Sequence, residues 1–228
     1  MMLPGLLCDE RLWRHQVENL GDDVRVVVAD LTVGGSVSGM ARAVLDAAPA
    51  GRFALAGLSM GGYVALEVMR VAPGRVSRLA LLDTSARADT SEQTAARRAL
   101  VSVAQDGQFD EVPRGLFPGI VHPDRVGDEG LASTVFDMAE AVGAAAFVRQ
   151  EEAIIDRPDS RGDLVNFGLP TLVLCGREDA LTPVHLHEEM AARIPNSRLR
   201  VVEACGHLSA LERPEEVTAS LREWLDTS

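Results

Sequence analysis

Arg52-Phe53-Ala54-Leu55-Ala56 runs into Gly57-Leu58-Ser59-Met60-Gly61-Gly62, and Tyr63-Val64-Ala65-Leu66-Glu67-Val68-Met69 follows. An apolar strand-like run, a glycine-flanked serine and a helix-like run together make the G-x-S-x-G pattern of a nucleophile elbow. A strand that bends sharply into a helix brings backbone against backbone, and Gly57 and Gly61 leave room for that contact. The bend lifts Ser59 Oγ above the sheet and turns the first N–H groups of the helix towards whatever the serine attacks. No lysine follows the glycines, so the turn does not read as a phosphate loop.

Outward from this turn, short continuous apolar runs alternate with amphipathic stretches. Strands are expected at Val24 to Ala29, Phe53 to Ala56, Leu79 to Leu82, Thr171 to Cys175 and Leu199 to Glu203. Helices are expected at Leu12 to Leu20, Met40 to Ala47, Gly61 to Val71, Val184 to Ile194 and Glu215 to Leu225. Strands without polar alternation are covered on both faces, which predicts a doubly wound, mostly parallel α/β sheet. The rhythm breaks between Ser85 and Leu169, where the stretches Glu92 to Gln105, Leu131 to Val142 and Ala144 to Ile155 are helical and none is strand-like. The expected organisation is a core of residues 1–86 and 169–228, with 87–168 as a helical cap over the ligand crevice.

The 228 residues carry a formal net charge of −12, which repels phosphate backbones and argues against nucleic acid as a partner. Cys8, Cys175 and Cys205 are odd in number and widely spaced, fitting neither a disulfide framework nor a C-x-x-C metal site. No metal and no cofactor are expected, and a reducing cytoplasm suits the thiols. The start, Met1-Met2-Leu3-Pro4-Gly5-Leu6-Leu7-Cys8, has no basic residues or long apolar stretch, so no export is expected. Apolar runs look strand-sized, short of the eighteen or so residues of a membrane span.

An activated serine needs a general base. His207, in Cys205-Gly206-His207-Leu208, lies a few residues past a strand end on the edge where Ser59 emerges, and it is the candidate. His15, His185 and His187 read as surface residues, and His122 as a loop residue able to line a pocket. The acid that orients the imidazole is Asp179, just beyond Thr171 to Cys175, with Asp83 a rival after Leu79 to Leu82; Glu178 reads as a solvated loop charge. Backbone donors for an oxyanion are Met60 N–H and, from Pro4-Gly5-Leu6-Leu7, Leu6 N–H. Phe136, Met138, Phe147 and Ile154 are candidate pocket walls or core of the cap, while Arg114, Arg149 and Gln150 are candidate contacts for a substrate carboxylate.

The elbow, Gly176-Arg177-Glu178-Asp179-Ala180-Leu181-Thr182-Pro183, Cys205-Gly206-His207 and Glu212-Arg213-Pro214-Glu215-Glu216-Val217 together resemble the α/β-hydrolase family over nearly the whole chain. The likeness is to its lidded esterase and lactonase branch, which includes pimeloyl-carrier-protein methyl esterases and 3-oxoadipate enol-lactonases. It implies Ser59 as nucleophile, His207 as base, Asp179 as its acid and Leu6 and Met60 as oxyanion donors. A small-molecule ester, lactone or thioester is the implied substrate, while ligand-sensing receptors and cofactor-free lyases or perhydrolases share the scaffold. Family members usually carry a β-hairpin and a full central strand ahead of the oxyanion segment. Here Met1-Met2-Leu3 leads directly into Pro4-Gly5, so the first strands are expected to be missing and the central one to be a stub.

Overall fold

The structure is a computed structural model and describes residues 1–226. Its sheet has the order β1 (Met2–Leu3), β2 (Phe53–Leu58), β3 (Val76–Leu82), β4 (Thr171–Gly176) and β5 (Ser197–Val202), and every pairing is parallel. Alternate residues of one strand point to opposite faces. Leu55, Leu79, Leu81 and Val173 therefore bury against α2 (Val37–Ala47), α3 (Met60–Val71) and α7 (Val184–Arg193). Leu58, Ala80, Leu82 and Leu174 bury on the other face, with Leu12, Trp13, Leu221 and Trp224 beside α1 (Arg14–Asn19) and α9 (Pro214–Asp226). Both faces are covered, as continuous apolar strands require.

One expected strand is not formed. Val24 to Ala29 pairs with β1 only at a bridge between Met2 and Val28, because β1 offers two residues and the ladder ends with Met2 N–H on Val27 O and Ala29 N–H on Met2 O. β1 is the expected stub; its other neighbour, β2, takes Met2 and Leu3 opposite Ala56 and Gly57.

Between β3 and β4 the described chain forms helices and no strand: α4 (Ser91–Gln105), α5 (Glu111–Ile120) and α6 (Glu129–Ile155). Thr90 opens α4 with a capping box, its hydroxyl accepting from Gln93 N–H while the Gln93 side chain accepts from Thr90 N–H. α6 is two helical halves meeting at Gly143, whose φ of 76° and ψ of 160° break the ladder. The expectation that no stretch approaches a membrane span needs correcting: α6 is long and apolar enough by length and composition. In the fold its apolar residues pack on neighbours instead, Phe147 against Phe109 and Met138 in the core.

Candidate active site

The turn between β2 and α3 puts Ser59 at φ 54° and ψ −116°, a conformation that costs a non-glycine residue about 1–3 kcal/mol. Backbone contacts hold it there: Ser59 N–H donates to Leu82 O at 3.0 Å, while Ser59 O accepts from Gly62 N–H at 2.9 Å and Thr84 Oγ1 at 2.8 Å. A Cβ on Gly57 would lie 2.3 Å from Gly61 O, and one on Gly61 would lie 2.2 Å from Leu3 O. The elbow therefore exists only with glycine on both sides of the serine.

His207 sits between β5 and α8 (Ser209–Glu212), and Asp179 in the loop after β4. The two loops touch so closely that a Cβ on Gly176 would lie 2.1 Å from Gly206 O. Asp179 Oδ2 is 2.8 Å from His207 Nδ1, and His207 Nε2 is 2.9 Å from Ser59 Oγ. A carboxylate only accepts, so Nδ1 carries the proton and Nε2 presents a lone pair to the serine hydroxyl. Asp179 Oδ1 also accepts from Leu181 and Thr182 N–H, and Oδ2 from Thr182 Oγ1. Burial works to raise its pKa, but the charge and hydrogen bond of His207 and the Thr182 donors prevail and hold it well below the usual carboxylate range. Burial pulls the His207 imidazole down, yet the charge and hydrogen bond of Asp179, with Asp83 and Glu212 behind, leave it above its ordinary value.

The rival acid is also present, on other partners. Asp83, fully buried at φ 45°, accepts from Gly176 N–H, Ser209 N–H and Ser209 Oγ. Burial and the negative charge of Asp179 push its carboxyl up to about 8.

A cavity of about 540 Å³ opens above Ser59 and His207. Gly5, Leu6 and Leu7 form one wall; Leu100, Leu116 and Val135 of α4, α5 and α6 form the roof. Gly5 lies against Ser59, since a Cβ there would be 3.5 Å from Ser59 Cβ. Arg97, Glu151 and Arg157 make a polar end of the cavity, tied together by ion pairs of Arg97 with Glu151 and Asp89 and of Arg157 with Asp89.

Several expected roles fall elsewhere. Phe147 and Gln150 are fully buried and His122 sits aside; none of the three lines the cavity. Phe147 packs on Phe109 and His122 Nδ1 accepts from Asp124 N–H, while Gln150 binds backbone of Leu7 and Leu31. Phe136 meets Phe117 edge-on beneath Arg114, and of the four expected wall residues only Ile154 reaches the cavity. His187 is not a surface residue: its Nε2 accepts from Thr84 N–H at 2.9 Å, and burial lowers it to about 4. Glu178 is not merely solvated, because it accepts from Cys205 N–H and so ties the acid loop to the base loop. Glu212, which the sequence marked only as part of the family-like Glu212–Val217 stretch, is buried and accepts from both His122 N–H and Leu208 N–H, joining the His207 loop to α5's end.

The alpha/beta hydrolase family model matches residues 1–220. A pimeloyl-[acyl-carrier protein] methyl ester esterase of Nitrosomonas europaea is 26% identical over 95% of this chain and 91% of its own length. A thermophilic esterase from Thermogutta terrifontis superposes with a TM-score of 0.89 at 29% identity, covering 98% of this chain and 88% of the other. The enol-lactonase of Burkholderia xenovorans LB400 gives 0.87 at 22% identity, covering 99% and 91%, a likeness of fold. With the elbow, the parallel sheet and a match over nearly its whole length, the chain belongs to the alpha/beta hydrolase family.

Proposed function

We propose that the protein is a serine hydrolase acting on a carboxylic ester, lactone or thioester through an acyl-enzyme. The observation that carries this reading is the unbroken hydrogen-bonded series from Asp179 Oδ2 through His207 to Ser59 Oγ, at 2.8 and 2.9 Å. In the first half-reaction Ser59 Oγ attacks the acyl carbon as His207 Nε2 takes the hydroxyl proton, and His207 returns that proton to the departing alcohol, enol or thiol. In the second, His207 removes a proton from water, the hydroxide adds to the acyl carbon, and the acid leaves as Ser59 regains its hydrogen. Asp179 keeps its charge throughout and stabilises the imidazolium formed in each half.

Met60 N–H, in the first turn of α3 where no intrahelical acceptor exists, and Leu6 N–H, on the wall beside Ser59, are the proposed donors to the tetrahedral oxyanion. Each contributes about 3 kcal/mol in such sites. Helices α4 to α6 act as the cap, and the largely apolar cavity below them suits a small to medium acyl group. The esterases among the similar proteins support this chemistry. Three buried, unpaired thiols support a reducing, cytoplasmic setting.

A panel of p-nitrophenyl esters, lactones and acyl thioesters tests the reading. Multiple turnovers on at least one class, lost in Ser59→Ala with the fold intact, are expected. Turnover of none of the three by the wild-type protein would refute it.

A further inference from the structure

Leu7 is a residue that physical chemistry would not choose for its place. Gly5 O accepts from Cys8 N–H at 3.2 Å, closing a four-residue turn, and Leu7 occupies its third position at φ 59°. Positive φ at that position is normally left to glycine or asparagine, because a leucine side chain there crowds its own backbone. Something outside the turn must hold the Leu6–Leu7 peptide in this orientation, since the relaxed alternative turns that peptide over.

The holding group comes from the cap. Gln150, on the second half of α6, is fully buried; its Oε1 accepts from Leu7 N–H at 3.2 Å, and its Nε2 donates to Leu31 O at 3.1 Å. Leu31 O fixes which end of the amide faces Leu7, because a carbonyl accepts only from the NH2 group. One side chain thus spans 143 residues of sequence to reach the segment that lies against Ser59.

We propose that Gln150 is a positioning residue: from the cap, its amide pins the Leu6–Leu7 peptide and with it the Gly5–Cys8 turn, so that the Leu6 N–H of the adjoining Gly5–Leu6 peptide keeps its place for the reacting carbonyl. The inference rests on the hydrolase reading and deepens it, giving the cap a part in transition-state stabilisation as well as in enclosing the substrate. A donor displaced by a fraction of an ångström still lets substrate bind but stabilises the oxyanion less.

Gln150→Met, close in shape and unable to make either bond, is the test. On an ester that the wild-type protein turns over, kcat is expected to fall by roughly tenfold to a hundredfold while KM stays within about twofold. Affinity for an alkylboronic acid, which mimics the tetrahedral state on Ser59, should fall in parallel with kcat. Equal kcat and equal boronate affinity in a folded Gln150→Met protein would overturn the proposal. Amide hydrogen exchange decides the clamp without relying on that variant's folding or on turnover. Slow exchange at Leu7 N–H in the wild-type protein supports the clamp, and exchange as fast as in an open loop overturns it. Wild-type protein with a protected Leu7 amide and no turnover on any ester, lactone or thioester would instead refute the hydrolase reading.

Discussion

Asp83 reaches across the end of the sheet to Ser209, two residues beyond His207, and its Oδ2 takes both the backbone N–H at 3.1 Å and the hydroxyl at 2.5 Å. The second acidic residue at this edge therefore builds the loop that carries His207, while Asp179 addresses the imidazole itself. Asp83→Asn keeps a single acceptor oxygen for the N–H groups of Gly176 and Ser209, so one of them loses its partner, and is expected to cost about 1–3 kcal/mol of stability in denaturant titrations. Its kcat should fall by no more than about tenfold, against roughly 10³ to 10⁴ for Asp179→Asn. Equal losses from the two variants would contradict this division.

Asp83 also gives stability a pH dependence of definite sign. Its folded value, about 8, lies above its ordinary 3.8, so the proton favours the folded state. The contribution is fully present below pH 4 and disappears as pH rises towards 8. Wild-type protein should lose stability over this window relative to Asp83→Asn. Parallel pH profiles for the two would show that Asp83 ionises normally in the fold.

Activity should follow the opposite limb. The mechanism needs His207 unprotonated, and its pKa is raised by Asp179 and the carboxyl groups behind it in spite of burial. The acid limb of kcat/KM is therefore expected above the free histidine value of about 6.5. Asp179→Asn, which removes that charge, should move the limb to lower pH as well as slow the reaction. An acid limb that does not move in Asp179→Asn would separate the limb from His207.

The glycines of the elbow differ sharply from those in open turns. Gly61→Ala would drive a Cβ to 2.2 Å from Leu3 O, backbone against backbone, so a loss of upwards of about 3 kcal/mol or failure to fold is expected. Gly74→Ala meets nothing within 4 Å and should stabilise by about 0.5 kcal/mol. Paired thermal melts check both.

The parts of the site carried by short local patterns could be read from the chain. Ser59 is framed by glycines, and His207 and Asp179 each follow a strand of the parallel sheet, so the sheet alone brings the three to one edge. The break at Gly143 was visible in the same way, as the gap between two helical stretches. What could not be read depends on which surfaces meet. Gln150, Glu212 and His187 are polar residues in helical or helix-flanking sequence that normally faces water, and only the docking of α6 on the Leu7 and Leu31 loops, of α8 on the end of α5 and of α7 on the loop after β3 buries them. The cavity roof had a faint signal, since Gln93, Arg97 and Leu100 share one face of α4 and Val135 and Ala139 one face of α6. Periodicity identifies such a face but not what it covers. Val24 to Ala29 failed for the same reason, because a strand needs a partner as well as a suitable composition.

All three cysteines are buried, and Cys8 lies in the cavity wall with its thiol pushed up to about 12, chiefly by burial and then by Asp9. Native protein should resist a thiol reagent such as dithionitrobenzoate, releasing colour only in denaturant, and prior treatment with iodoacetamide should leave ester turnover unchanged. Inactivation by alkylation of Cys8 would point to a thiol in the chemistry.

The most direct test of the central claim is to quench the protein during turnover of a p-nitrophenyl ester and measure peptide masses. An acyl group is expected on the peptide carrying Ser59, with no such adduct and no turnover in Ser59→Ala. Undiminished hydrolysis by a folded Ser59→Ala protein, or an acyl group found on another residue, would contradict it.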